Sequence, residues 1–206
     1  GRSPFDRISR MSSLAGVYTP LVTPFTPDGS LDEAGLRLNV ERYMQTRLTG
    51  LVVLGSNGEA PQLEESEADR AIAAVRSVMP RHRPLIAGTG RESTAATIAA
   101  TRRAADLGVD AVLVRTPSFF KGQMTSEILV RHYTEVADRS PVPVLLYNVT
   151  IYTGVNLSPE AVERLGVHPN IAGMEDSGGD IGQLVDGGEV HGHRSLRGPE
   201  EAARIA

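Results

Sequence analysis

The sequence predicts an α/β fold, a (β/α)8 TIM barrel that is C-terminally incomplete, with about six to seven βα units. Three observations carry that expectation. Short apolar runs alternate with capped, helix-like stretches six times, at a spacing of roughly 30 residues. No linker or composition shift divides them, so residues 1–206 read as a single domain. Polar loops follow nearly every strand, as suits a barrel whose site is assembled from all of them. An open nucleotide-binding sheet would show a glycine-rich fingerprint after its first strand, and Gly88-Thr89-Gly90, after the third, lacks the last glycine.

The elements follow in order. Residues 1–12 carry Arg2, Arg7 and Arg10 without an apolar stretch between them and read as a disordered extension rather than a secretory signal. Gly16 to Phe25 reads as a strand running into a loop closed off by Pro20 and Pro24. Ser30 or Asp32 can cap a helix through about Arg47, with Leu36, Leu38, Val40 and Tyr43 among its apolar positions. Leu51–Leu54 is a buried strand, Glu64–Val78 a helix with an acidic start, and Leu85–Ala87 the third strand. A Ser93-capped helix to about Leu107 precedes the strand Ala111–Val114. The loop Thr116–Gly122 then leads to a helix over Ser126–Ala137. Val142–Tyr147 is the fifth strand, followed by a loop to Gly154. Ser158-Pro159-Glu160 combines a cap, a first-turn proline and an acidic first turn. Ile171–Met174 opens the sixth strand and breaks into Glu-Asp-Ser-Gly-Gly-Asp, where a helix cap and glycines would let a ligand approach the backbone. Residues 185–206 read as a degraded tail: a helix from Asp180 meets Gly187-Gly188, and His193–Arg197 is a poor seventh strand.

Composition narrows the function classes. An apolar fraction of 40% and a charged fraction of 22% are those of a soluble globular protein. A net charge of −4 gives no footprint for nucleic acid or an anionic membrane, and no run approaches the roughly 18 apolar residues of a membrane span. Cysteine is absent, which removes disulfides, thiol nucleophiles and thiolate metal sites and fits a reducing compartment, the cytoplasm or an organellar matrix. Among 21 basic residues Lys121 is the single lysine.

Several residues could carry chemistry. Gly55-Ser56-Asn57-Gly58-Glu59 sits where a strand ends and can hold a carboxylate through backbone N–H groups and small polar side chains, or be an ordinary βα turn. Tyr147 can relay protons from the edge of the fifth strand, or pack with a satisfied hydroxyl. Thr23 is placed similarly and reads as structural. Lys121, on a loop, reads as solvated rather than nucleophilic. His191 and His193 have the spacing of two metal ligands but no third, and read as surface; no metal and no cofactor is called for. His82, His132 and His168 flank helix ends and carry no pattern.

Taken together, Val22-Thr23-Pro24-Phe25, the Gly55–Glu59 loop, Val144–Asn148 and Gly173–Asp180 resemble the dihydrodipicolinate synthase / N-acetylneuraminate lyase family of pyruvate aldolases. The likeness runs from about Leu14 to Asp180. Ser56-Asn57 and Thr116–Gly122 are most similar to its 4-hydroxy-2-oxoglutarate aldolase branch. The resemblance implies a (β/α)8 barrel, commonly tetrameric, that joins a lysine to a 2-oxo acid as a Schiff base, the imine serving as electron sink. It implies that Ser56 and Asn57 hold the substrate carboxylate, that Tyr147 relays protons and that Ser177 lies near the imine. Three positions depart from the pattern. The Schiff-base lysine falls at Glu175, a loop tyrosine falls at Phe119, and Thr150 replaces a proline. The resemblance therefore implies a 2-oxo acid lyase impaired at imine formation. The alternatives are a 2-oxo acid binding pseudoenzyme, or a lyase or hydratase in which Glu175 and Tyr147 act as acid and base.

Overall fold

The computed structural model describes residues 14–179 and the strand Leu196–Arg197. The expected extension at 1–12, the helix from Asp180, and His191 and His193 lie outside the described residues. The chain divides into two compact units, Gly1–Gly88 with Arg103–Ala111, and Thr89–Arg102 with Val112–Ala206.

In the first unit, β1 (Tyr18–Pro20), β2 (Gly50–Val53) and β3 (Leu85–Gly88) pair in parallel in chain order. Leu51, Val53, Leu85, Ile86 and Ala87 are buried, as strands covered on both faces require. Helix α1 (Glu33–Met44) starts where Asp32 accepts from the Gly35 N–H, so Asp32 rather than Ser30 is the cap. Leu36 and Val40 are buried, whereas Leu38 is 47% exposed. Two residues along a helix turn a side chain about 200° away, so Leu38, although apolar, leaves the buried stripe. Helix α2 (Glu65–Val78) opens with a reciprocal capping box between Glu64 and Glu67. It packs on α1, and Arg70 reaches Glu33 at 2.8 Å.

The second unit holds β4 (Ala111–Arg115, from its second residue on), β5 (Val144–Asn148), β6 (Ile171–Asp176) and β7 (Leu196–Arg197), again parallel and in chain order. Helix α3 (Thr94–Asp106) begins as expected with Ser93 accepting from Ala96 N–H at 3.1 Å. Helix α4 (Ser126–Arg139) is capped by Thr125, and α6 (Pro159–Gly166) by Ser158. Between β5 and α6, where a loop is expected, Thr150–Thr153 forms the one-turn helix α5, closed by Gly154 at φ 62°. His132 does not flank a helix end. It sits inside α4, buried, with Nδ1 at 2.9 Å from Thr94 Oγ1.

Consecutive parallel strands laid down in chain order are the winding of a (β/α) barrel; a doubly wound sheet reverses its order at a switch point. The strand ends that matter are therefore the carboxyl ends.

Candidate active site

The β2 loop of the first unit is tightly built. Leu54 and Glu59 both take left-handed backbone, φ 59° and 54°, an uncommon and costly conformation for such residues. Between them Ser56–Gly58 forms a 3-10 turn. Thr23 Oγ1 donates to the Gly58 carbonyl at 2.7 Å and anchors the turn, which confirms the structural reading of Thr23. A side chain at Gly88 would collide with the Leu54 carbonyl, the close approach that demands glycine there. Ser56 is half-buried and Asn57 exposed at this loop.

In the second unit β5 and β6 bring the other candidates together. Their register shifts by one residue between Val144 and Leu145, after which Tyr147 faces Glu175 and Asn148 faces Asp176. Register partners share a sheet face, so Tyr147 and Glu175 lie side by side at the carboxyl edge, with Asn148 and Asp176 on the opposite face. The Ser177 hydroxyl donates to Glu175 Oε1 at 2.6 Å. Glu175 Oε2 is sealed from solvent and has no hydrogen-bond partner among the described residues. Burial pushes the carboxyl up to about 7; the Ser177 hydrogen bond opposes that shift and the Asp176 charge adds to it. The group can therefore exchange a proton near neutral pH, which an ordinary glutamate cannot.

The opposite face holds this pair in place, and sequence reading missed it. Asn148 Nδ2 donates to Asn156 Oδ1 at 2.9 Å and reaches both Asp176 oxygens at 3.3 and 3.4 Å. Asn148 Oδ1 accepts from Leu157 N–H, and Asp176 Oδ1 accepts from Gly178 N–H at 2.6 Å. A side chain at Gly178 would lie 2.8 Å from that same carboxylate oxygen. The glycine thus makes room for the Asp176 network.

The loop after β4 hangs on Glu92, also missed. Its carboxylate accepts from Ser118 and Phe119 N–H at 2.9 and 2.8 Å and pairs with Arg115 at 2.9 Å. Burial would raise its pKa, but these donors lower it. Phe119 itself is 79% exposed and packs edge-on against Phe120, 4.9 Å between ring centres. Lys121 is exposed on a 3-10 turn, its side chain running past Gly154. No group of three or more metal-ligating side chains occurs among the described residues, and no described helix is long and apolar enough to cross a membrane.

Comparison with known proteins adds ancestry to this geometry. The model of the dihydrodipicolinate synthetase family matches residues 13–194. A 4-hydroxy-tetrahydrodipicolinate synthase of Stenotrophomonas maltophilia is 42% identical over 172 residues, 84% of this chain and 57% of the relative. One of Xanthomonas axonopodis pv. citri is 44% identical over 165 residues, 80% of this chain and 54% of the relative. The chain thus spans little more than half the length of these curated relatives. Among solved structures, the chloride-inhibited dihydrodipicolinate synthase of Acinetobacter baumannii, complexed with pyruvate, superposes with a TM-score of 0.86 at 36% identity, over 91% of this chain and 65% of that one.

Proposed function

Because the chain belongs to the dihydrodipicolinate synthetase family, we propose that it is a family lyase for pyruvate or another 2-oxo acid, such as 4-hydroxy-2-oxoglutarate, impaired at the imine step. The observation that carries this reading is Glu175 at the end of β6 in register with Tyr147, buried enough to hold a proton near pH 7. A carboxyl has no amine with which to form an imine, so the Schiff-base route implied by the resemblance is closed at this position. Phe119, without a hydroxyl, leaves the implied proton relay one group short.

The shifted pKa favours a second reading, imine-free acid–base chemistry. A neutral Glu175 can donate to the ketone oxygen of 4-hydroxy-2-oxoglutarate while Tyr147 relays the proton leaving the 4-hydroxyl. The bond between carbons 3 and 4 breaks, its electron pair becomes the enol of pyruvate, and the 4-carbon leaves as the aldehyde. Binding without turnover is the third possibility. Ser56 and Asn57 take the carboxylate role only through the family resemblance, and Ser56→Ala with Asn57→Ala tests it as a loss of ligand-induced stabilisation. The same resemblance proposes a homo-oligomer, a tetramer, which light scattering on the eluting protein checks.

The deciding experiment is Glu175→Lys. The variant should form a borohydride-trappable adduct with pyruvate. Turnover should recover less than trapping, because a missing proton-transfer partner costs on the order of 10²–10⁴-fold in rate. Adding Phe119→Tyr should help turnover more than trapping. A folded variant that traps nothing overturns the assignment of position 175. Wild-type release of pyruvate that is insensitive to borohydride selects the acid–base reading; stabilisation without release selects binding.

A further inference from the structure

The first unit carries a concave feature at the amino ends of its strands, and so at the opposite end from the Gly55–Glu59 loop. A cavity of about 490 Å3 is lined there by Arg47, Thr49, Arg81, His82, Arg83 and Asp110, among others. Its volume falls within the range of small-molecule sites. Two short segments supply the cations. Arg47 follows α1 and precedes β2. Arg81, His82 and Arg83 sit between Pro80 and Pro84, on a turn closed by Arg83 N–H donating to the Pro80 carbonyl at 3.0 Å.

The charges in this cavity are uncompensated. Asp110, its one carboxylate, is already engaged: Oδ2 accepts from Leu85 N–H at 2.9 Å and faces Arg76 Nη1 at 3.4 Å. Arg76 is buried, and its Nη2 donates to the Met79 and Pro80 carbonyls. Arg47, Arg81 and Arg83 form no ion pair among the described residues. Arg81 also repels Arg76, whose pKa is lowered first by burial, against the pull of Asp110. Three arginines without an ion pair among the described residues line one hollow and give it a positive potential, in a chain whose net charge is −4.

We infer that this cavity binds a small phosphoryl-bearing anion, held by Arg47, Arg81 and Arg83. Guanidinium forks meet tetrahedral oxyanions bidentately, and a phosphate dianion presents enough oxygens for three of them. The carboxylate of pyruvate offers two charged oxygens and one charge, too few for the set. The proline-bounded turn fixes the backbone that carries two of the three arginines, which lowers the ordering cost of binding. Arg76 anchors that turn through Pro80, so the hollow is tied to β3 through Asp110. The site is independent of position 175.

The test is calorimetric titration of the whole chain with inorganic phosphate and with glycerol 3-phosphate, at constant ionic strength, with thermal melts alongside. Saturable binding is expected, with a matching rise in melting temperature. Arg47→Gln and Arg81→Gln, both exposed positions on separate segments, should each weaken binding about tenfold, since each removes a charge-assisted bond. Arg81→Lys should bind between wild type and Arg81→Gln. Tighter binding of glycerol 3-phosphate than of phosphate identifies an organic phosphomonoester as the natural occupant; equal binding identifies free phosphate. Equal stabilisation by sodium chloride, tighter binding of succinate than of phosphate, or unchanged affinity in both glutamine variants overturns the inference.

Discussion

Glu175 shows how one buried side chain sets a pH dependence. Its carboxyl titrates near 7 in the fold against an ordinary 4.5, with burial the main cause. Between those two values the folded chain holds more protons than the unfolded one, so stability falls as pH rises through this window. The favourable contribution is complete below about 4.5 and lost above about 7. Glu175→Gln removes the titration while leaving an oxygen for the Ser177 hydroxyl. We expect the variant to match wild type near pH 4 and to exceed it at pH 8 by on the order of 2 kcal/mol, read from denaturant melts. An equal difference at both pH values would mean that the carboxyl is not held neutral. Asn148 works differently, since its side chain serves Asn156, Asp176 and Leu157 at once. Asn148→Ala should lower melting temperature and, where turnover is detectable, reduce kcat with little change in KM.

At the scale of elements, α4 is the clearest case of tertiary chemistry hidden inside a readable helix. Its limits follow from Thr125 and the apolar spacing, but its buried polar pair does not. The Tyr133 hydroxyl donates to the Val114 carbonyl of β4 at 3.0 Å, and burial holds the phenol well above its ordinary pKa. Tyr133→Phe should cost roughly 0.5–1.5 kcal/mol, the usual worth of such a bond. Beside it His132 is pushed down to about 4, by burial first, with Glu135 opposing. Between about 4 and 6.5 the unfolded state binds the extra proton, so stability drops as pH falls through that window. His132→Gln should remove this acid lability, worth on the order of 2–3 kcal/mol, as seen by comparing melts at pH 7 and pH 4.5. The strands and the capped helices were legible because caps, prolines and apolar runs are local signals. Helix α5 was not, because Thr-Ile-Tyr-Thr is a short, β-branched stretch that turns only against Gly154. Nor were Glu92, the Asn148–Asp176 network or the β5–β6 register, since each joins residues 26 to 28 positions apart and depends on the fold being made. The candidate residues Tyr147, Glu175 and Ser177 were legible by resemblance, but the Ser177–Glu175 hydrogen bond and the register of Tyr147 with Glu175 only in three dimensions.

At the scale of the whole molecule, the supply of side-chain amines decides what chemistry is open. Of 21 basic residues one is lysine, so every arginine-rich surface of this chain is inert toward ketones at neutral pH. Imine-forming lysines are activated by burial in apolar pockets or by a neighbouring cation. Lys121 is exposed on its turn after β4 rather than buried in an apolar pocket. On the reading proposed above, an amine introduced at position 175 would stand where Glu175 Oε2 is sealed from solvent, in register with Tyr147. Incubating the wild-type chain with pyruvate and borohydride should leave its intact mass unchanged, and peptide mapping should find Lys121 unmodified. Lys121→Arg serves as the matched control and should behave identically. An adduct mapped to Lys121, absent from that control, would move the imine to the β4 loop and make Glu175 its acid–base neighbour rather than the residue that closes the route.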